Sequence, residues 1–339
     1  MKKKILLVGS NTVGSIDIIY YEHLKNIGYD IDFFESENIF SRFYYKSVFN
    51  KLIFKAGIKT IYDKISIQLK NKVESYKPDI IWIFKGMSIL PEFLEWAKSR
   101  NIKLVNYNAD NPFIFTGKGS GNINVTNSIS LYNLHLTYNL QVKREIEEKY
   151  KIATGYLPFG YEKQQNFKQV TLEEEINKLC FIGNPDKQRV FFLKKLLNNG
   201  VRIDVYGIGW NKFLRHKNAS IYPAVYNEDL LHNLKRYRIQ LNIMRIHNLN
   251  SHNMRTFEIP AVGGIMLAPD TTEHHLFFED KKELFLYKSF EHCIDQILFL
   301  KNLSLKAANT IRENAYKRCL VGKYSYKDRA EGIISLILE

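Results

Sequence analysis

A strand, a glycine-bearing loop, a helix and a further strand follow one another twice in this chain. In the first occurrence an apolar run over residues 4–8 ends at Gly9, and a helical pattern follows. In the second occurrence residues 178–182 end at Gly183, and helical spacing follows again. This unit is the usual opening of a doubly wound α/β domain, so the chain is predicted to contain two of them.

The length and the linking segment indicate where these domains divide. A chain of 339 residues suits two domains of roughly 100–200 residues each. A polar stretch ending near residue 175 separates the two patterns, and we predict a first domain over residues 1–163 and a second over 164–322. Gly9 and Gly14 are five positions apart and do not fit GxGxxG, which disfavours a nicotinamide dinucleotide site.

Cysteine usage and hydropathy indicate the compartment. The three cysteines, at positions 180, 293 and 319, form no CxxC pair, so neither a zinc ribbon nor a disulfide framework is expected. Free thiols are typical of a reducing environment. The first apolar run is too short for a signal-peptide core, and no stretch approaches the roughly 18 apolar residues of a membrane span. We therefore expect a cytoplasmic protein.

The net charge of +14 is partly concentrated in residues 41–72. Eight basic residues and one acidic residue give this segment a net charge of +7, and aromatic and aliphatic residues lie between them. One interpretation is a surface helix whose apolar face packs on the core. The other is a basic amphipathic segment that binds an anionic membrane surface or guides an anionic acceptor. No nucleic-acid-binding motif accompanies the charge, so nucleic acid is not an expected partner.

Residues 251–264 carry the pattern most indicative of chemistry. Polar residues precede a predicted helix over 254–262, with Arg255 and Glu258 in its first turns. A helix N-terminus and an arginine suit a pyrophosphate, and a carboxylate accepts hydrogen bonds from the two hydroxyls of a ribose. The alternative is an exposed first turn with an ordinary ion pair. Arg189 and Arg245 are expected at the same sheet edge, which favours a nucleoside-diphosphate site.

In the first domain Asp110 follows a predicted strand and is the candidate for the reaction centre. Its side chain is expected to bind the acceptor, or to act as general base if the enzyme inverts configuration; the alternative is a turn aspartate before Pro112. Asn111, and Ser10 and Asn11 in the first loop, are candidates for contact with the acceptor or the sugar.

Several other polar residues are predicted to be structural. His23 and His135 lie inside predicted elements. Asp30 and Asp32 spell a DxD metal motif, but they alternate along a predicted strand. The pair at positions 274 and 275 follows Glu273, and adjacent side chains point apart, so no metal site is expected.

Four segments of the second half carry a resemblance to a known family. They are Phe181-Ile182-Gly183-Asn184, Val205-Tyr206-Gly207-Ile208-Gly209-Trp210, Leu241-Asn242-Ile243-Met244-Arg245 and Arg255-Thr256-Phe257-Glu258-Ile259-Pro260-Ala261-Val262-Gly263-Gly264. Residues 283–289 resemble the segment that follows the last donor-domain strand of the same family. On these residues the chain resembles the GT-B glycosyltransferases, in particular their spore-maturation-type (CgeB-like) branch. The resemblance covers about residues 178–320, and the first half matches in architecture.

The resemblance implies two Rossmann-like domains that face a cleft, with a last helix over 323–339 crossing back to the first domain. It implies a metal-independent transfer from a nucleotide-sugar, with UDP favoured, to a glycan or lipid-linked acceptor, and no other cofactor. Retention of configuration is expected from the wider kinship. Many retaining members carry a second glutamate eight positions before the ribose glutamate, where this chain has Asn250.

The resemblance also implies a donor site in the second domain, with Glu258 on the ribose and Arg245 and Arg255 near the phosphates. Arg255 is in addition expected to stabilise the leaving diphosphate. The full predicted donor set consists of strand-end and helix-start residues: Gly183, Asn184, Arg189, Gly207, Gly209, Trp210, Arg245, Asn253, Arg255, Thr256 and Glu258.

Two other functions remain open at this point. A nucleotide-sugar epimerase can share the fold, although its acids and bases are not assignable here. A nonenzymatic nucleotide-sugar-binding protein is the third hypothesis, and the absence of a carboxylate at Asn250 keeps it open. Release of nucleoside diphosphate from the donor without any acceptor would argue against such a binding protein.

Overall fold

The chain folds into two compact α/β units. The structure, a computed structural model, describes residues 3–55, 60–115, 120–162, 166–245, 248 and 250–339. Unit one is Met1–Pro158 with Tyr326–Glu339, and unit two is Phe159–Ser325. The chain therefore passes between the units at 158–159 and at 325–326, near the boundaries predicted at 163–164 and 322–323. Residues 163–165 lie outside the described residues.

Unit one contains a six-stranded, all-parallel sheet in the order β2-β1-β3-β4-β5-β6. Its strands are β1 (Ile5–Val8), β2 (Ile31–Phe34), β3 (Ile80–Phe84), β4 (Lys103–Asn108), β5 (Leu134–Thr137) and β6 (Ala153–Tyr156). Helices cover both faces of such a sheet, so its central strands are apolar throughout, as β1 and β3 show.

The helices of unit one are α1 (Ile16–Asn26), α2 (Ser36–Lys46), α3 (Val48–Lys55), α4 (Thr60–Tyr76), α5 (Pro91–Lys98), α6 (Ile123–Ser128), α7 (Leu140–Tyr150) and the last helix of the chain, α14 (Tyr326–Leu338). The ring of Tyr326 on α14 meets that of Tyr20 on α1, with centroids 5.8 Å apart. The last helix thus belongs to the first unit, as the resemblance implies.

Unit two repeats this plan with a parallel sheet in the order β12-β11-β10-β7-β8-β9. Its strands are β7 (Ile176–Ile182), β8 (Ile203–Tyr206), β9 (Ala219–Tyr222), β10 (Tyr237–Leu241), β11 (Met266–Pro269) and β12 (Phe285–Tyr287). Its helices are α8 (Lys187–Asn198), α9 (Asn227–Arg236), α10 (Arg255–Ala261), α11 (Thr272–Phe277), α12 (Phe290–Asn302) and α13 (Leu305–Val321). The predicted fold class, two Rossmann-like α/β domains, is confirmed.

The basic segment at residues 41–72 is not one helix but parts of α2, α3 and α4. On α4 the apolar side chains, among them Ile65 and Leu69, are buried in the core of unit one, which agrees with the surface-helix interpretation. On α3 the pattern differs, because Val48, Phe49 and Leu52 are all more than half exposed. Packing on the core therefore explains only part of this segment.

The predicted structural roles of two polar groups agree with their contacts. Asp30 accepts a hydrogen bond from the Tyr76 hydroxyl at 2.7 Å, and Asp32 forms an ion pair with Lys72, so both carboxylates of the DxD sequence bind α4. His135 is buried on β5, and neither ring nitrogen has a hydrogen-bond partner in the part of the chain that the structure describes. Burial lowers the pKa of His135 to about 3, which keeps the ring neutral.

No helix among the described residues is long and apolar enough to cross a membrane.

A buried network of ion pairs connects three segments of unit two. Glu175, just before β7, accepts hydrogen bonds from Arg238 on β10 and from Arg312 on α13, both at 2.8 Å. Arg238 also donates to the carbonyl oxygens of Leu300 and Leu303 at 3.0 and 2.8 Å. Burial alone raises the pKa of Glu175, but the bonds from the two guanidinium groups outweigh it and hold that pKa below its usual range.

Replacement of the central carboxylate is expected to destabilise the fold strongly. Glu175→Gln preserves the shape but leaves two buried guanidinium groups without a counterion, and we expect a loss of about 3–5 kcal/mol in the free energy of unfolding. Glu173→Gln, two positions away and exposed, is the control and is expected to change it by less than about 0.5 kcal/mol. Urea denaturation of both variants measures the difference, and equal stabilities would contradict the prediction.

Candidate functional site

The loops that follow β7 and β8 touch through two glycines. Gly207 has a φ of +155°, and a Cβ on it would lie 2.3 Å from the carbonyl oxygen of Gly183. The same carbonyl accepts a hydrogen bond from the indole nitrogen of Trp210 at 2.7 Å, and Trp210 is fully buried. Gly183 and Gly207 are thus at the predicted sheet edge. The structure corrects the prediction for Trp210, because its only N–H is used inside the protein and its ring is in the core.

Asn184 and Arg189 join this edge to the loop after β10. The Asn184 side-chain oxygen accepts a hydrogen bond from the amide of Ile208 at 3.0 Å. The Arg189 guanidinium donates to the carbonyl oxygens of Asn184 at 3.1 Å and Ile243 at 3.2 Å. Arg189 is therefore turned toward the backbone and largely buried, with three of its five N–H groups bonded to carbonyl oxygens.

Three arginines concentrate positive charge at this edge. Burial, together with the nearby positive charges of Arg245 and Arg255, lowers the pKa of Arg189 to about 10. Asp186 is the nearby counterion, 3.4 Å from Nε of Arg189 and 4.0 Å from Nε of Arg245. Sequence reasoning missed Asp186, although an aspartate just before a helical run is a usual N-cap signal. The arrangement favours a multiply charged anion.

At the start of α10 the side chains of Arg255 and Glu258 form an ion pair. Both remain partly exposed, with 27% and 17% of the side-chain surface accessible. This is the ion pair that the sequence left open as the alternative to a nucleotide site. The ion pair places a guanidinium next to a carboxylate. A guanidinium suits a phosphate and a carboxylate suits the ribose hydroxyls beside it, so the same two groups also suit a nucleotide.

The helix itself contributes less than predicted. It spans Arg255–Ala261, which is shorter than the predicted residues 254–262, and its first-turn amides are already bonded. Phe257 and Glu258 donate to the carbonyl oxygen of Met254 at 3.0 Å, and Thr256 donates to that of Asn253 at 3.0 Å. The expectation of free N–H groups at this helix end is therefore wrong for these three residues.

Asn253 and Thr256 are also structural. The Asn253 side chain accepts a hydrogen bond from the Thr256 amide at 3.2 Å and donates to Asn242 at 2.8 Å. Thr256 is fully buried, and its hydroxyl is 3.1 Å from Nε2 of His274. These contacts fix the position of α10 against β10 and α11. The burial of Thr256 corrects the prediction that it contacts the donor directly, whereas Asn253 is half-buried and its contact with the donor stays a prediction. Gly209, with a φ of +86°, forms the turn after β8. Asn250 is exposed.

The histidines near α11 bind different partners. His252 Nδ1 lies 2.6 Å from Glu273, and its Nε2 accepts a hydrogen bond from the Phe159 amide at 3.1 Å. His274 Nδ1 lies 2.8 Å from the Pro269 carbonyl oxygen, and burial lowers the pKa of His274 to about 4. His275 lies 2.7 Å from Asp270. Within the described ranges no three histidine, cysteine or acidic side chains are grouped to hold a metal ion.

In unit one Asp110 forms an ion pair with Lys85 at 2.5 Å, and both residues line a cavity of about 810 Å³. Ser10 lines the same cavity. Asn111 is buried and bonds the amide of Phe113 at 2.9 Å in a local turn, and the Asn11 amide bonds Asn38 at 2.6 Å. The structure therefore brings Asp110 and Ser10 to one site and gives Asn111 a role in a turn.

Two carboxyl groups of this cavity were missed by the sequence analysis. Asp17 accepts a hydrogen bond from the Ser10 amide at 2.6 Å, and Glu37 accepts one from the Ser88 hydroxyl at 2.8 Å. Burial raises the pKa of Asp17 to about 6 and also raises the pKa of Glu37. Gly9 allows the Asp17 carboxylate to approach the loop after β1, because a Cβ on residue 9 would lie 2.3 Å from Oδ2 of Asp17. That close approach makes glycine the only residue that fits here unless Asp17 moves.

A known family resembles the second half of this chain in sequence, and solved structures resemble nearly the whole chain in fold. The sequence profile of the family described as glycosyl transferase-like matches residues 187–335. The spore protein CgeB of Bacillus subtilis is 25% identical over 237 residues, which are 63% of this chain and 71% of that protein.

Solved structures superpose on both units. Sucrose-phosphate synthase from Thermosynechococcus elongatus gives a TM-score of 0.68 at 10% identity and 98% coverage of each chain. A glycosyltransferase from Rickettsia africae gives 0.65 at 13% identity, covering 99% of this chain and 98% of that one. A trehalose-6-phosphate protein from E. coli bound with UDP-2-fluoro glucose gives 0.63 at 12% identity, covering 98% and 99%. The fold is GT-B, and the predicted resemblance to this class is confirmed.

The contact between the two glycine loops yields a prediction. Gly207→Ala places a Cβ against the Gly183 carbonyl, and we expect a loss of about 2–4 kcal/mol in the free energy of unfolding. Gly209→Ala is the matched control, because its φ is also positive but no described atom lies within 4 Å of a Cβ there, so about 1 kcal/mol is expected. If chemical denaturation shows that the two variants lose the same free energy of unfolding, the contact between the two glycine loops is not tight.

Proposed function

We propose that this glycosyltransferase of the GT-B fold transfers a sugar from a nucleoside-diphosphate sugar, with UDP favoured, to a glycan or lipid-linked acceptor. The observation that supports the donor most directly is the convergence of Arg189, Arg245 and Arg255 beside Glu258. UDP is favoured because a structure of the same fold is bound with UDP-2-fluoro glucose.

In this proposal Arg245 and Arg255 bind the diphosphate, and the Glu258 carboxylate accepts hydrogen bonds from the ribose hydroxyls. Because Arg255 lies next to Glu258, the diphosphate and the ribose of one nucleotide contact the two side chains at the same time. Arg189 holds the loops after β7 and β10 together and adds positive charge behind them. Because the first-turn amides of α10 are occupied, side chains rather than the helix end supply the phosphate donors.

The reaction breaks the bond between the sugar's anomeric carbon and the diphosphate oxygen, and it forms a bond between that carbon and the acceptor hydroxyl oxygen. The hydroxyl proton leaves with the nucleoside diphosphate. Charge accumulates on the leaving diphosphate in the transition state, where Arg255 and Arg245 stabilise it without a metal ion. Retention of configuration is part of the proposal, and Asp110 then binds the acceptor hydroxyl rather than removing its proton.

The donor assignment is tested by nucleotide binding. We expect UDP to raise the melting temperature more than GDP, CDP or ADP does, because a ligand that binds only the folded state stabilises it. Glu258→Ala is expected to weaken UDP binding about tenfold through loss of the ribose contacts. Arg255→Ala is expected to lower kcat more than it raises the donor KM, because it acts on charge that develops in the transition state.

Glu331→Ala, on an exposed part of α14, is the control and is expected to bind UDP like the wild type. UDP binding unchanged by Glu258→Ala would remove that residue from the site. Incubation with UDP-sugar separates the remaining functions. Release of UDP supports a transferase, a change of sugar configuration without UDP release supports an epimerase, and binding without turnover on any acceptor supports a binding protein.

We also propose that the protein is cytoplasmic and binds the inner membrane surface through α2 and α3. Val48, Phe49 and Leu52 are exposed apolar side chains, and Lys46 and Lys51 flank them. Exposed apolar groups next to basic side chains are the combination that an anionic lipid surface binds.

The membrane proposal predicts binding to anionic vesicles. We expect cosedimentation with phosphatidylserine-containing vesicles and little with pure phosphatidylcholine, because each lysine near the surface contributes about 1 kcal/mol. The double variant Phe49→Ser/Leu52→Ser is expected to bind about tenfold more weakly. Ile67→Ser removes a similarly exposed apolar residue from α4 and is the control. Equal losses in the two variants would contradict binding through α3.

A further inference from the structure

The cavity of unit one has two chemically different walls. One wall is a cluster of four aromatic rings from α2, α3 and α4 that pack on one another, namely Phe40, Tyr44, Phe54 and Tyr62. Other lining residues carry hydrogen-bonding groups: Ser10, Lys85 and Asp110 from the loops after β1, β3 and β4, and Asp17 from the first turn of α1. Glu37 on α2 also faces the cavity. A volume of about 810 Å³ is within the range of small-molecule sites.

The charge of this lining is the opposite of what the chain's net charge suggests. Its charged side chains are Asp17, Glu37, Lys85 and Asp110, so the lining carries −2 when all four are ionised and zero when Asp17 and Glu37 are protonated. Its one cation, Lys85, is paired with Asp110 at 2.5 Å. None of these protonation states gives a net positive site, so an anionic ligand finds no excess positive charge there.

The described basic side chains of residues 41–72 do not change this conclusion. Arg42 forms an ion pair with Glu35, Lys72 pairs with Asp32, and Lys70 lies over the ring of Trp96. None of the three lines the cavity. The basic side chains of 41–72 that the structure describes, which are those of residues 42, 46, 51, 64, 70 and 72, do not line the cavity, so they do not support the prediction that this segment guides an anionic acceptor into it.

We infer that this cavity binds the acceptor as an uncharged amphiphile, with a hydroxyl-bearing sugar at the Asp17, Glu37 and Asp110 side and an alkyl or aryl group against the four-ring wall. Carboxylates and amides accept and donate hydrogen bonds to sugar hydroxyls, and the ring wall removes apolar surface from water. The carboxylates repel phosphorylated or otherwise anionic sugars. The inference rests on the proposed function only in calling this ligand the acceptor of the transfer. Binding of the ligand to the cavity does not require a bound nucleotide-sugar.

Three probes of matched structure test the inference on the full chain without nucleotide at pH 8. Octyl glucoside has both parts, glucose lacks the apolar tail, and octyl phosphate replaces the neutral head with an anion. We expect calorimetry to show octyl glucoside binding about tenfold more tightly than either of the others. Tighter or equal binding of octyl phosphate would overturn the inference.

Variants then locate the binding. Tyr44→Ala removes one ring of the wall and is expected to weaken octyl glucoside binding about tenfold, whereas Tyr226→Ala, an exposed tyrosine of unit two, is not. Glu37→Gln is expected to reduce the preference for octyl glucoside over octyl phosphate about fivefold, and the exposed Glu74→Gln is expected to preserve it. Melting curves establish that each variant is folded.

The outcomes separate this inference from the proposed function. If Tyr44→Ala and Glu37→Gln behave like their controls, the cavity is not the binding site and the inference is wrong, whatever the enzyme does with UDP. If octyl glucoside binds as expected but no nucleotide binds in the thermal-shift assay, the cavity assignment stands as a binding site and the transferase proposal fails. Transfer of sugar to octyl glucoside supports both.

Discussion

Parallel pairing is the constraint on which the rest of this structure depends. Every paired strand in both six-stranded sheets runs parallel to its neighbours. Consecutive strands must then be joined by crossovers, which cover both faces with helices and leave the strands apolar. Polar chemistry is confined to the loops at the carboxyl edge. The three arginines of unit two and the Ser10, Lys85 and Asp110 groups of unit one lie at such edges for that reason.

The sequence predicted what depends on local pattern. Apolar runs that end in glycine located β1 and β7, because a buried parallel strand is apolar throughout and the following turn favours a small residue. The Arg255–Glu258 ion pair was the alternative that the sequence left open, because residues three apart on a helix are neighbours. The same patterns indicate that both units are α/β.

What the sequence did not predict depends on which helix faces meet in space. The cavity joins residues as distant as Asp17 and Asn124, and no periodicity relates such positions. The Glu175 network likewise joins three elements across more than 130 residues, since Arg312 is 137 positions from Glu175. Trp210 was included in the donor set with the segment 205–210 that resembles the family, but its ring is fully buried and its indole nitrogen donates to Gly183. Helical spacing also gave one amphipathic segment where the structure describes parts of α2, α3 and α4.

The position of α14 has a consequence for biosynthesis. Unit two is one continuous segment, whereas unit one is interrupted after Pro158 and completed only from Tyr326. During translation all six strands of the first sheet leave the ribosome long before the helix that covers Tyr20 on α1 and approaches Gly155 on β6. Until then α1 and β6 lack these contacts, so unit one completes its packing only after unit two has left the ribosome. Residues 326–339 therefore complete the first unit after the whole of unit two has been made.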